Sequence, residues 1–211
     1  MLRLLFLILS FLGIAKAECP LQDGDLLFIK SQTSQAKLLK LTTGSEWSHV
    51  GMAFKREKGW DVIESIQPTR WTTLYSFLRR SRNLSFQVMR PNFEFDSKSL
   101  RLEAEKHLGA DYDLIFGWDD KRWYCSELVW KAYKSVSKVH IGELEKVGDL
   151  NVDHPLVMSE AKKRFQGYGM KFDAEAWKNY DVITPVQMMK STHVEKIMDD
   201  SRIEEMKDCV L

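Results

Sequence analysis

Cys125 stands in the run Trp123-Tyr124-Cys125-Ser126-Glu127-Leu128-Val129-Trp130, and Leu128, Val129, Ala132, Tyr133 and Val136 recur at the three-and-four spacing of one helical stripe. That spacing puts the thiol in the first turn of an amphipathic helix. Unpaired N–H groups and the positive end of the helix dipole favour thiolate there, and the thiolate is the form that attacks a carbonyl carbon. Free cysteine is also among the most buried residue types, so the position alone does not separate a nucleophile from an inert core thiol.

A nucleophilic thiol needs a base, and His49 is the candidate. In Trp47-Ser48-His49-Val50-Gly51-Met52-Ala53-Phe54, strand alternation sets His49, Gly51 and Ala53 on one face and Val50, Met52 and Phe54 on the other. The small residues at 51 and 53 predict open space beside the imidazole. The other histidines have plainer readings: His107 falls in the last turn of a helix, and His140, His154 and His193 in or beside loops. A third group must fix the imidazole tautomer, and Glu64 in Val62-Ile63-Glu64-Ser65-Ile66 can share a face with His49 if the two strands form a hairpin. Asp61 and Glu127 are alternatives for that role. No Cys-x-x-Cys pair or His-x-x-x-His appears, so a metal site ranks well below nucleophilic catalysis, and no cofactor is implied.

The cysteine count depends on compartment. Met1-Leu2-Arg3, an apolar run from Leu4 to Ile14 and Ala15-Lys16-Ala17 have the pattern of a secretory signal peptide over residues 1–17, leaving residues 18–211 as one mature domain, periplasmic or secreted. Glu18 directly before Cys19 does not fit a lipoprotein site, and Cys209 is misplaced for prenylation. Of three cysteines, Cys19 and Cys209 sit at the two ends of the mature chain, where a disulfide between them is possible; either way Cys125 is the thiol left over.

The elements that must position these residues interleave. Strands are expected over Leu26 to Lys30, His49 to Lys55, Trp60 to Ile66 and Ser85 to Arg90, with a short one at Val182-Ile183-Thr184. Helices are expected over Ser34 to Thr42, Thr72 to Arg80, Ser97 to Leu108, from Cys125 onward, Pro155 to Phe165 and His193 to Lys207. The class is α+β, a small, strongly bent antiparallel sheet with helices packed on it. The leader removes Arg3 and Lys16, taking the net charge from +1 to −1. That balance gives no basic excess for nucleic acid, and no second apolar run long enough for a membrane span follows the leader. Arg79-Arg80-Ser81-Arg82 reads as a solvated helix end.

The runs Asp23-Gly24-Asp25-Leu26-Leu27-Phe28, Ser48-His49-Val50-Gly51-Met52, Val62-Ile63-Glu64, Gly109-Ala110-Asp111-Tyr112-Asp113 and Tyr124-Cys125-Ser126-Glu127-Leu128-Val129, in that order, resemble the YiiX/YebB-like branch of the NlpC-type, papain-like cysteine hydrolases. The likeness runs through nearly the whole mature chain. It implies a circularly permuted papain-like fold, in which His precedes Cys along the chain and a half-barrel sheet packs on the Cys-bearing helix. It also implies Cys125 as nucleophile, His49 as general base and Glu64 as the orienting residue of an amidase- or peptidase-like acyl transfer. The Cys125 backbone N–H would hold the oxyanion with a second, unassigned donor. Tyr124 and the Asp119-Asp120 loop are candidates to shape the pocket, and Trp118 and Trp123 would form a substrate platform if exposed together and scaffold if buried. The first substrate expectation is an amide of cell-wall or related peptide, and the second is a lipid acyl group. A non-catalytic ligand-binding domain, or a redox sensor using Cys19 or Cys209 as resolving partner, are the readings of another class.

Overall fold

Antiparallel pairing of neighbours builds the core of the molecule, seen here in a computed structural model that describes residues 19–210; the expected leader lies outside them. Five strands, β1 (Leu26–Ser31), β2 (His49–Arg56), β3 (Gly59–Glu64), β4 (Arg70–Thr73) and β5 (Ser81–Pro91), belong to one six-stranded sheet. Two two-residue pairings follow from β6 (Asp111–Tyr112), β7 (Arg122–Trp123), β8 (Glu145–Lys146) and β9 (Asp181–Val182): β6 with β7 and β8 with β9. The last strand, β10 (Val194–Asp199), completes the large sheet, whose order is β10-β5-β1-β2-β3-β4. The helices are α1 (Ser34–Thr43), α2 (Leu74–Leu78), α3 (Ser97–Glu105), α4 (Cys125–Ser137), α5 (Pro155–Gly167), α6 (Ala174–Lys178), α7 (Pro185–Met189) and α8 (Ile203–Val210). The mixed α and β content and the bent antiparallel sheet match the expected class.

Strand alternation divides the core in two. Val50, Met52 and Phe54 of β2 face α4, packing with Leu128, Val129 and Tyr133, all almost fully buried. The opposite faces of β1, β2 and β3, with Leu27, Ala53 and Val62, pack under α2 and α8 through Leu74, Phe77 and Met206. Gly51 is the point where the two strands close most tightly. A Cβ there would run into Val62 Cγ1 and lie 3.0 Å from the Ile63 carbonyl oxygen and 3.2 Å from Glu64 Cβ. The expected open space beside His49 is therefore occupied: the missing side chain admits β3, and with it Glu64, rather than solvent.

Three expected elements differ. The segment from Thr72 to Arg80 is not one helix. Arg70–Thr73 form β4, favoured by Trp71 and two β-branched threonines, and the Thr73 hydroxyl then accepts the Ser76 N–H to cap the short α2. The strand expected over Ser85 to Arg90 starts earlier, at Ser81, as β5. The expected helix over His193 to Lys207 is strand β10 followed by helical turns. A bulge between Lys196 and Met198 switches the faces, so the buried Val194 enters the core on the α4 side and Met198 the core on the α8 side, and the strand leaves no unbroken alternation in the sequence.

Cys19 and Cys209 form a disulfide across 190 residues, on the α2 and α8 side of the sheet. Neither is left to resolve an oxidised Cys125, so the redox-sensor reading lacks its partner thiol. Cys125 is the free cysteine among the described residues. Replacing both bridge cysteines by Ser is expected to lower stability by about 2–5 kcal/mol, as for other bridges that close long loops. Thermal unfolding of the variant against the oxidised parent checks this. Thiol reactivity at Cys125, on the other face of the sheet, should survive in the folded variant.

Candidate active site

Cys125 opens α4, and Tyr124 is the residue before the first turn. Glu127 Oε2 accepts the Tyr124 N–H at 3.3 Å, and its other oxygen pairs with Lys131 Nζ at 2.7 Å. The Ser126 hydroxyl donates to the Ile183 carbonyl at 2.8 Å, and the Ser65 hydroxyl donates to the Trp123 carbonyl at 2.5 Å. The Ser65 bond ties the end of β3, one residue beyond Glu64, to the chain two residues before the thiol. Helix start and strand end are thereby held in one register.

His49 lies between Cys125 and Glu64. Its Nε2 is 2.5 Å from Glu64 Oε2, with the carboxylate fully buried and the imidazole nearly so. With Nε2 committed, Nδ1 is the ring nitrogen left for Cys125. Burial opposes protonation of His49, but the Cys125 thiolate, by charge and hydrogen bond, and then Glu64 raise its pKa from 6.5 to about 9. Burial pushes the Cys125 thiol up, but the His49 charge and hydrogen bond, with the Val50 N–H and Ser126, leave it below the ordinary thiol range. Burial likewise raises Glu64, and His49 and Arg80 together overcome it, holding the carboxyl at about 2. Each shift favours the charged form, so the site suits a thiolate–imidazolium pair with a carboxylate behind it.

The alternatives for the orienting carboxylate lie elsewhere. Asp61 pairs with Arg56 at 3.2 Å, and Glu127 is occupied by Tyr124 and Lys131, where burial raises it to about 8. Arg80 is a correction to the expected solvated helix end: it turns inward onto Glu64. Tyr112 is a residue that sequence reasoning left without a role. It lines the same cavity as Cys125, and burial, followed by the thiolate's charge, raises its pKa and keeps the hydroxyl protonated and therefore a donor. The Tyr in Gly109-Ala110-Asp111-Tyr112-Asp113 was visible, but only the β6–β7 pairing, joining Tyr112 to Trp123, carries it to the thiol.

A narrow apolar cavity opens from Cys125, with Leu38, Ile115, Phe116, Leu150, Val157 and Ile183 among its walls. Tyr124 lines it as expected, its hydroxyl accepting the Ile183 N–H at 3.1 Å. The charged side chains of the lining are Glu160 and Arg164, which neutralise each other at 3.3 Å. The tryptophans do not make an exposed platform. Trp123 is buried, its ring 3.8 Å from that of His107, and half-buried Trp118 packs between Tyr124 and Trp130 outside the lining. Asp119 and Asp120 are also outside it, paired with Arg122 and Lys131.

The shifts fix the direction of the pH response. Glu64, ordinarily 4.5 and here about 2, contributes stability that is present above 4.5 and lost as pH falls from there toward 2. His49 has the opposite sign: its contribution is complete below 6.5 and lost as pH rises through about 9. Urea unfolding across the acidic window should show a steeper loss of stability in the parent than in Glu64→Gln, which has no proton to take up.

The model of the family described as "Permuted papain-like amidase enzyme, YaeF/YiiX, C92 family" matches residues 20–198. An uncharacterized protein, YiiX of Escherichia coli strain K12, is 34% identical over 147 residues, covering 68% of this chain and 73% of that protein. The crystal structure of YiiX from Escherichia coli O157:H7 superposes with a TM-score of 0.75 at 28% identity, covering 85% of this chain and 97% of that one. With the six-stranded antiparallel sheet, the helix headed by Cys125 and His49 ahead of it in the chain, these matches establish that the chain belongs to the permuted papain-like amidases of the YaeF/YiiX, C92 family.

Proposed function

We propose that the chain is a thiol amidase in which Cys125 is the nucleophile, His49 the general base and acid, and Glu64 the group that orients His49. The observation that carries this reading is the buried 2.5 Å contact of His49 Nε2 with Glu64, which leaves the other ring nitrogen for a thiol at a helix N-terminus. The thiolate attacks the amide carbonyl carbon and forms a C–S bond. Collapse breaks the C–N bond as His49 gives its proton to the leaving nitrogen. Water then attacks the thioester, returns a proton to His49 and releases a carboxylic acid. The Cys125 N–H at the start of α4 and the protonated Tyr112 hydroxyl are the donors we assign to the developing oxyanion.

The cavity bears on the substrate. Its apolar walls and self-neutralised Glu160–Arg164 pair suit an unbranched acyl group better than the charged side chains of cell-wall peptide. An N-acyl amide with its acyl chain in the cavity is the substrate we favour. Peptide amides, including those of the cell wall, are the second reading, favoured by the amidase description of the family. Export is part of the proposal, supported by the leader pattern of residues 1–17 and by the Cys19–Cys209 disulfide, a bond retained in oxidising compartments. No helix among the described residues is long and apolar enough to cross a membrane.

The O157:H7 relative is described as a metalloprotein. Among the described residues no group of three His, Cys, Asp or Glu side chains is arranged to hold a metal ion, and His49 Nε2 is taken by Glu64. The donor set does not fit a metal, and no step above passes through one.

Alkylation of Cys125 should proceed at pH values well below roughly 8.5, the reference for a free thiol. His49→Ala should slow it by about 100-fold or more at neutral pH and restore an ordinary thiol profile. Incubation with N-acyl amides and with cell-wall peptides, followed by intact-mass analysis, should trap an acyl adduct on Cys125 from the former. An adduct from peptide alone would reverse the substrate preference, and an ordinary thiol profile in the parent would sink the mechanism.

A further inference from the structure

Three arginines follow α2, and they diverge. Arg79 lies over the Tyr75 ring, Arg82 points toward Glu46 at 3.7 Å, and Arg80 turns into the sheet. Its Nη2 is 2.6 Å from Glu64 Oε1 and 2.5 Å from Glu64 Oε2, so one nitrogen bridges both oxygens of a fully buried carboxylate. The guanidinium sits 5.3 Å from the centre of the Phe77 ring, and that ring is 5.6 Å from the His49 ring. Arg80 Nε is buried with no hydrogen-bond partner, so the side chain carries an unsatisfied donor in order to reach Glu64.

We infer that Arg80 is a positioning residue of this site, which neutralises the Glu64 carboxylate that His49 also contacts and thereby sets how firmly His49 keeps its proton. The inference rests on the roles of Cys125, His49 and Glu64 proposed above.

His49 has two duties that conflict. It must hold a proton while Cys125 is thiolate, and it must surrender that proton to the leaving nitrogen. A buried carboxylate 2.5 Å away with no counter-charge would favour the first duty at the expense of the second, because an isolated anion in a low-dielectric site strongly favours imidazolium. Arg80 balances the carboxylate while leaving its hydrogen bond to His49 intact. The row Cys125 thiolate, His49 imidazolium, Glu64 carboxylate and Arg80 guanidinium alternates in sign and sums to zero. Without Arg80 the buried site would hold a net negative charge, which is costly to desolvate. The groups facing His49 are Glu64 from β3 and Cys125 from α4. Arg80 stands behind the first and Tyr112 against the second, while β1 offers the uncharged Ile29 opposite it. Arg80 is thus the cation of this row besides His49 itself.

The test is ring-proton NMR titration of His49 in the disulfide-intact protein, with the other four histidines as internal standards, run beside the pH profile of Cys125 alkylation. Arg80→Met, and Arg80→Gln if the Met variant does not fold, should raise the His49 titration by about one pH unit, the scale of losing a neighbouring unit charge. Arg80→Lys should return it toward the parent value, and Glu64→Gln should move it the opposite way. A purely structural role would lower the melting temperature and leave the His49 titration in place. If parental His49 titrates high and linked to Cys125, but neither uncharged variant shifts it, the role of Arg80 is overturned and the triad stands. If parental His49 titrates near its ordinary value without linkage to Cys125, the triad reading falls, and this inference with it.

Discussion

Charge can be buried in a protein only where opposite charge and hydrogen bonds meet it. The contact between His49 and Glu64 is where this chain faces that constraint. Glu64 has no exposed side-chain surface, His49 has little, and Cys125 is buried beside them. Burial opposes the charged form of each; their mutual contacts favour it, and that is the state the proposed thiol mechanism requires. The surrounding fold reads as the means of keeping these few atoms in contact. Gly51 lets β3 come close enough to β2 for the carboxylate to reach the ring, the Ser65–Trp123 hydrogen bond fixes the strand end to the helix start, and α4 presents the thiol with its own N–H groups directed at the same point.

The two faces of the sheet divide the labour. One receives α4 and the cavity. The other is closed by α2, α8 and the Cys19–Cys209 bridge, which secures both ends of the described chain to the strands that carry His49 and Glu64. Arg80 follows α2 on that second face and contacts Glu64, which alternates to the same side of β3 as Val62, so the packing of a short helix is tied to the electrostatics of the site.

How much of this was legible in the sequence follows from the range of the interactions. The Cys125 helix and the His49 strand were readable because periodicity is a local property, and alternation on two adjacent strands made Glu64 a candidate partner of His49 while leaving Asp61 and Glu127 open. Family resemblance and the order of the motifs then gave the permuted papain-like class. The bulge in β10 and the Thr-rich β4 were misread because the first breaks strand alternation and the second runs directly into the short α2. Arg80 and Tyr112 were missed for a different reason. Arg80 is 16 residues from Glu64, and Tyr112 depends on a two-residue parallel pairing, so neither contact has a periodic trace. Reading Gly51 as a sign of open space was the instructive error: a glycine in a strand marks close approach, and what approaches here is backbone and a carboxylate rather than substrate.

The apolar cavity and the charged row bear on each other. A dry wall beside the thiol lowers the local dielectric, which strengthens every attraction within the Cys125–His49–Glu64–Arg80 row and raises the penalty for any member left unmatched. An apolar acyl group entering the cavity would exclude water further without adding charge, leaving the row balanced as the carbonyl meets the thiolate. A charged substrate group on the same path would have to find a counter-charge, and the charged pair in the lining, Glu160 with Arg164, is already satisfied. On the proposed reading, the cavity would select substrate by the same rule that keeps the site ionised: charge is admitted only where its partner is waiting.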